Sequence, residues 1–271
     1  MATAKQLVKL KLPYFTELLY RHNAKRELKV VRKAKYISGR TAHDREFITK
    51  TNPEAHYIQI NYNLREEFYR AKKWSGKDCI PYTVFTGAGT YPLKGLHKLV
   101  DALAIVKERY PQVKLQVPGN HIHYQESNGY ERYLHRKIKK LNLSEQVEFL
   151  GRKSAEEMAQ CLQKANVYAF PSAYDTDSLS LCEAQMIGTP IVASRTGGSP
   201  YLVEDGHSGF CYDYEYHHKL AELICRLFED QALCRQISEN EIRQAEQRHA
   251  REENVQKLMQ TYQQLLENHK N

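Results

Sequence analysis

The sequence is poor in features that would place it in a membrane or a secretory route. No apolar run is long enough to cross a bilayer, which takes about 20 consecutive apolar residues. The opening MATAKQLVKLKLPYF breaks its apolar residues with lysines and offers no hydrophobic region of a signal peptide. Six cysteines are scattered through 271 residues, with no CxxC and no Cys/His cluster at zinc spacing. Cys182 and Cys225 fall on apolar helix faces and Cys79 near a strand start, so reduced core thiols and a cytoplasmic setting are expected. No internal repeat and no low-complexity segment is found, which argues against a solenoid. No nucleophile elbow and no Ser/His/Asp arrangement is visible.

What is present suits a folded chain. Apolar residues make up 41% and charged residues 27%, enough for a core and too apolar for a wholly disordered polymer. The length fits one large domain or one and a half ordinary ones. The formal charge is +8, and it is concentrated: the first forty residues hold eleven Lys and Arg against two Glu. Such a segment can meet nucleic acid, anionic lipid or an acidic partner, or it can be a solvated helix face. No RNA- or DNA-binding motif accompanies it, and no nucleic-acid partner is expected.

Residues 14–34 read as a helix and Tyr36 to Ser38 as a short strand. Thr41 can cap a helix that stops before Asn52-Pro53, and His56 to Ile60 alternates as a strand does. Asn63 to Tyr69 suggests a short helix, and 71–78 a linker. This front section is too short and too open for a complete α/β domain and looks like the tail of one. From Pro81 the pattern becomes regular: strand 82–86, helix 95–110, strand 113–117, helix 129–141, strand 147–150, helix 154–165 and strand 167–170. A helix over 178–187 closed by Gly188 and a strand over 190–193 follow, then a turn and short strand within 201–213. The alternation predicts a doubly wound, Rossmann-like parallel α/β sheet. The remainder, 215–270, is helical, and Val255, Leu258, Met259, Tyr262, Leu265 and Leu266 form an apolar stripe expected to be buried here or in another chain.

In such sheets ligands sit beyond the carboxyl ends of the strands. One loop there, GAGTYPLKG (87–95), combines glycines with Lys94 at a helix start, a pattern suited to phosphate but equally to a tight turn with a surface lysine. A second loop carries Asp175, and Glu183 follows eight residues later on a helix. Glu183 can accept ribose hydroxyls, or it can close a capping box with Ser180. Asp175 can hold sugar hydroxyls or serve the turn. Asp175-Thr-Asp177 spells a DxD pattern for a divalent metal, yet no third ligand stands out, and His121 and His123 read as loop histidines.

FTGAGTYPLKGLHKLVDAL, LGRKSAEEMAQCLQKANVYAFPS and DTDSLSLCEAQMIGTPIVASRTGG together resemble the C-terminal, donor-binding domain of family 4 retaining glycosyltransferases, the group 1 enzymes of GT-B fold. The resemblance runs from about Tyr82 to Tyr212, and RTAHDREF and NYNLREEFY are similar to the last elements of that family's N-terminal domain. It implies three domains: 1–78, a truncated N-terminal remnant and linker; 79–250, a nucleotide-sugar-binding domain; 251–271, a helix crossing back to the N-terminal part. It implies transfer of a sugar from a nucleotide-diphosphate sugar to a glycan or lipid-linked acceptor, in glycan or polysaccharide biosynthesis, without a metal cofactor. Lys94 takes the position of the lysine that neutralises the donor diphosphate. Asp175 and Glu183 occupy the two acidic positions of the E-x7-E motif, for the transferred sugar and the ribose, the first one methylene shorter. Gly151 and Arg152 lie where the backbone approaches the base, and Ser178, Leu179 and Ser180 face the donor; Gly87, Gly89, Gly95 and Asn120 complete the implied site.

One departure is Gly89, which stands where the family carries an arginine beside the diphosphate. The loss of one preorganised cation is worth on the order of 10²-fold in rate. The alternative reading is a nucleotide-sugar-binding module, catalytically incomplete without a separate N-terminal half. A peripheral membrane contact through residues 1–40 fits the lipid-linked acceptors of the family.

Overall fold

The computed structural model describes residues 21–87, 89, 91–119 and 129–268. They fall into two compact units, one ending at Ile60 and one beginning at Asn61.

In the first unit, helix α1 (residues 21–33) precedes strand β1 (Tyr36–Gly39), helix α2 (Ala42–Thr51) and strand β2 (His56–Gln59). The two strands pair in parallel, Tyr36 opposite His56 and Gly39 opposite Gln59. The cap expected at Thr41 is present. The Thr41 hydroxyl accepts from the Asp44 amide, and the Asp44 carboxylate accepts from the Thr41 amide at 3.0 Å. The helix ends one residue before Asn52, whose side-chain amide donates to the carbonyls of Val31 and Ala34.

The second unit holds α3 (Glu66–Arg70), β3 (Thr83–Phe85), α4 (Leu96–Arg109), β4 (Lys114–Val117), α5 (Gly129–Lys140), β5 (Val147–Phe149), α6 (Ala155–Lys164) and β6 (Val167–Phe170). They are followed by α7 (Leu179–Ile187), β7 (Ile191–Ser194), α8 (Ser199–Leu202), β8 (Phe210–Tyr212), α9 (His217–Glu229), α10 (Gln231–Arg248) and α11 (Arg251–Asn268). The six strands form one wholly parallel sheet in the order β5-β4-β3-β6-β7-β8. Every residue of β6 and β7 is buried, as expected of strands covered on both faces, and this is why these runs are apolar throughout rather than alternating. α4 packs with α9, while α7 packs with α6 and α10. The chain winds outward in one direction from β3 and in the other from β6, so the topological switch lies between these neighbours.

Residues of the expected linker bind closely to this unit. The Trp74 amide donates to the Ile187 carbonyl at 2.7 Å, its indole N–H to the Ala165 carbonyl, and the Lys73 ammonium to the Met186 carbonyl. His249, between α10 and α11, is buried, and its Nδ1–H donates to the Tyr62 carbonyl at 2.9 Å. Burial lowers its pKa to about 4. Arg251, at the start of α11, pairs with Glu66. On α10, next to the helix face where Ser238 and Ile242 meet Gly188, Glu241 is fully buried and neither carboxyl oxygen has a hydrogen-bond partner among the described residues. Burial raises its pKa well above the ordinary range.

The six cysteines are free thiols, three buried and three half-buried. Burial raises the pKa of all six, to about 11 for Cys79 and Cys211 and about 12 for Cys182 and Cys234. Along the apolar stripe of α11, Val255, Met259, Tyr262 and Leu266 are exposed, and Leu258 and Leu265 are half-buried, so the described residues of this chain leave most of it uncovered. Among the described residues no helix is long and apolar enough to cross a membrane.

Candidate functional site

The loops that leave β3, β6 and β7 at their carboxyl ends are stitched to one another. After β3 the chain makes a short 3-10 turn, Pro92–Lys94, and reaches α4 through Gly95, whose φ is +70°. A Cβ at Gly95 would lie 1.7 Å from the Pro171 carbonyl oxygen, so only glycine allows the first loop to approach the end of β6. The Ala173 amide and the Ser172 hydroxyl both donate to the Leu93 carbonyl. Ser194, the last residue of β7, donates to the Ser172 carbonyl, and Thr196 does the same at 2.8 Å. The Gly198 amide then holds the Asp175 carbonyl at 2.8 Å.

This stitching brings together two residues 81 apart in sequence: the Lys94 ammonium donates to the Asp175 carboxylate at 2.6 Å. The pair is partly open to solvent. Beside it, α7 begins at Ser178, an N-cap with no side-chain cap bond, whose hydroxyl is 3.1 Å from that of Ser180. Leu179 is exposed at the first turn. Gly87 lies against the same turn, since a Cβ there would be 2.8 Å from the Tyr168 hydroxyl and 3.0 Å from Ser180 Oγ. The phenol of Tyr168 is fully buried. Burial raises its pKa, and the charges of Glu183 and Asp175 both push it in the same direction. Gly87, Tyr168 and Ser180 thus meet at the start of α7, the helix that carries Glu183, and the Lys94–Asp175 pair joins the loops after β3 and β6.

Glu183 faces a partner that sequence reading does not foresee. Its two carboxylate oxygens accept from Arg65, Nε to Oε1 at 2.7 Å and Nη2 to Oε2 at 2.9 Å. The capping box with Ser180 is not formed: Ser178, not Ser180, occupies the N-cap position, and the carboxylate is spent on a guanidinium rather than on the backbone. Burial pushes the Glu183 pKa up while Arg65 pulls it down, and burial is the larger effect. The hydrogen bond to Glu183 holds Arg65 firmly in its charged form.

The DxD pattern separates in space. Asp175 pairs with Lys94, whereas Asp177 is buried and pairs with Arg248 at 3.4 Å. Among the described residues no group of three His, Cys, Asp or Glu side chains is placed to hold a metal. Gly151 is buried after β5 with φ +71°, and its carbonyl accepts from the Gly119 amide after β4; Arg152 next to it is exposed. At Gly89 no atom of the described residues lies within 4 Å of where a Cβ would stand. Asn120, His121, His123 and Tyr124 lie outside the described residues.

A wholly parallel sheet in the order found here, with its switch point between β3 and β6, is a Rossmann-like α/β architecture. The likenesses to solved structures are of that fold. Sucrose-phosphate synthase from Thermosynechococcus elongatus superposes with a TM-score of 0.76 at 22% identity, over 89% of this chain and 61% of its own. HepE of Anabaena, in complex with UDP and glucose, gives 0.74 at 24% identity over 91% of this chain and 67% of its own. The profile of glycosyl transferases group 1 matches residues 72–244, more than half of the sequence, and the chain belongs to this family. It is 35% identical over 145 residues to the D-inositol 3-phosphate glycosyltransferase of Corynebacterium urealyticum, covering 51% of this chain and 32% of that relative. With the corresponding enzyme of Stackebrandtia nassauensis it shares 36% identity over 124 residues, 44% of this chain and 27% of the relative. The chain thus spans about a third of the length of these curated relatives.

Proposed function

We propose that the chain binds a nucleotide-diphosphate sugar at the β3/β6 switch point and transfers its sugar to an acceptor with retention at the anomeric carbon. The observation that carries this reading is the Lys94–Asp175 pair beside the uncapped first turn of α7. In the transfer, the sugar–oxygen bond to the diphosphate breaks, and negative charge grows on the leaving oxygens. The Lys94 ammonium and the amides of the first turn of α7 stabilise that charge. The diphosphate competes with Asp175 for the ammonium, which frees the Asp175 carboxylate to accept from hydroxyls of the transferred sugar. A phosphate oxygen of the donor takes the acceptor proton. Glu183 accepts from the ribose hydroxyls, the backbone at Gly151 and Arg152 approaches the base, and Asn120 is assigned to the donor-binding set. Ser178, Leu179 and Ser180 face the sugar, and Gly87, Gly89 and Gly95 give the phosphates close access to the backbone.

The further assignments belong to the same proposal. Residues 1–78 act as part of an N-terminal GT-B domain with its linker, 79–250 as the donor domain, and 251–271 as the helix that returns to the N-terminal part. The acceptor is a glycan or a lipid-linked sugar, met at a membrane surface through the basic segment 1–40, and fixed cations supply the charge that a metal supplies in other transferases. UDP is the first donor fragment to try, because a relative of the same fold is known in complex with it. A second reading, a donor-binding module that needs a separate N-terminal half for transfer, is favoured by Gly89, which leaves Lys94 without a neighbouring arginine in that loop.

Calorimetric titration with UDP, GDP and ADP tests the site. Binding of one of them is expected, weakened roughly 10- to 100-fold by Lys94→Met and by Glu183→Ala, the range of a hydrogen bond to a charged group. Absence of binding by all three would overturn both readings. With binding established, release or transfer of sugar from the matching nucleotide sugar separates enzyme from module.

A further inference from the structure

We propose that Arg65 is a positioning residue of the nucleotide site: its guanidinium grips both oxygens of Glu183 so that the carboxylate presents its remaining lone pairs to the vicinal hydroxyls of a ribose. The proposal rests on the reading of Glu183 as the ribose acceptor.

The geometry is that of a side-on, bidentate pair, one N–H to each oxygen at 2.7 and 2.9 Å. An ionised carboxylate has about four acceptor positions, so two remain for hydroxyl donors. Arg65 is itself held. It precedes α3 as the N-cap residue, and its guanidinium lies 4.9 Å from the centre of the Phe68 ring, which is fully buried. Its side chain is 47% exposed while that of Glu183 is 5% exposed, so the pair runs from the surface to the core. The carboxylate of Glu156, in the first turn of α6, also acts on Arg65. That turn begins just after Gly151 and Arg152, the backbone proposed to meet the base.

The pair also decides what form Glu183 takes. Burial alone favours the protonated acid, and Arg65 is the group that opposes it. Glu67, from the same segment as Arg65, reinforces burial. Further charged or titratable groups lie on the elements around α7, among them Tyr168, Glu156, Glu241 and Arg248, with Lys73 on the segment before β3. Lys73 is tied to the Met186 carbonyl and Arg248 to Asp177, and neither replaces Arg65 at the Glu183 oxygens. Without Arg65 the carboxyl group would keep its proton to higher pH and lose acceptor capacity toward a diol.

The test compares UDP with 2′-deoxy-UDP by calorimetry between pH 6 and pH 9, on the wild-type chain, Arg65→Gln, Arg65→Lys and Glu183→Gln, each checked for cooperative thermal unfolding. The wild type is expected to prefer UDP roughly tenfold across the range. Arg65→Gln should lose that preference at pH 6, regain part of it at pH 9, and bind 2′-deoxy-UDP as the wild type does. Arg65→Lys should keep an intermediate preference, and it serves as the test variant if Arg65→Gln does not fold. A salt bridge that only braces the fold would change melting and leave the ratio of the two ligands alone. If Arg65→Gln keeps the full preference while Glu183→Gln abolishes it, the inference about Arg65 fails and the ribose role of Glu183 stands. If Glu183→Gln also keeps it, or the wild type shows none, the ribose role fails and this inference with it. Tighter UDP binding by Arg65→Gln would show a competitor for Glu183, and would also overturn the proposal.

Discussion

Glu241 is fully buried on α10 with both carboxyl oxygens unpartnered among the described residues, and its pKa is raised well above the ordinary 4.5 by burial. An unfolded chain releases this proton near its ordinary value, while the folded chain retains it. Above pH 4.5 the folded state thus binds more protons than the unfolded one, and stability falls as pH rises. Each pH unit by which release is delayed costs about 1.4 kcal/mol once the unfolded acid is ionised. Two substitutions divide the effect. Glu241→Gln removes the ionisation and keeps a buried polar group; Glu241→Leu removes both and recovers about 1–3 kcal/mol more, the cost of a buried polar group without a hydrogen bond. Urea unfolding at pH 5, 6, 7 and 8, read as the shift in midpoint at constant slope, measures this directly. Both variants should be more stable than the wild type, with a margin that widens toward pH 8, and Glu241→Leu should be the more stable of the two. A margin that does not change with pH would refute the assignment of Glu241 as a buried, neutral acid.

The opposite sign is expected of His249. Its folded pKa near 4 lies below the ordinary 6.5, so the unfolded state takes up a proton that the folded state refuses, and stability falls as pH drops from 6.5 toward 4, by as much as about 3 kcal/mol. Glutamine at 249 should remove that part of the acid sensitivity, seen as a smaller loss in urea midpoint between pH 7 and pH 5. Gly89→Arg places a second cation in the Lys94 loop; UDP should bind several-fold tighter, with a steeper salt dependence, and unchanged calorimetric affinity would count against the phosphate reading of this loop. Gly95→Ala drives a methyl into the Pro171 carbonyl at a φ that alanine disfavours, so UDP affinity should fall at least tenfold and the melting temperature with it.

Much of this was legible in the sequence, because it rests on local chemistry. The cap at Thr41 needs only four residues of local sequence and forms as expected, and the structure completes it, like that at Ser154, as a capping box. The apolar runs of β6 and β7 announce strands covered on both sides, and the stop at Gly188 is a left-handed C-cap. Lys94 and Asp175 each stand in a loop after a strand, and the winding rule for parallel sheets is enough to bring such loops together. Arg65 was not legible as the partner of Glu183: 118 residues separate them, and the contact depends on how a short segment after the first unit lies over α7. Ser180 offered a nearer and equally plausible partner, and only the position of the N-cap at Ser178 decides against it. Glu241 and His249 were invisible for a related reason, since a charged residue on a long polar helix reads as solvated unless its packing is known. The stripe on α11 was legible as a stripe, but periodicity says nothing of what covers it, and four of its residues are exposed.

The protonated, sheltered thiols have a practical outcome. A maleimide meets little thiolate on this chain near neutral pH, because nucleophilic attack needs both the anion and access. A cysteine introduced at Tyr174 or Leu179, both exposed beside Asp175 and the start of α7, would outpace the native six in alkylation. A fluorophore attached there could watch a sugar nucleotide arrive without first stripping the protein of its own sulfur.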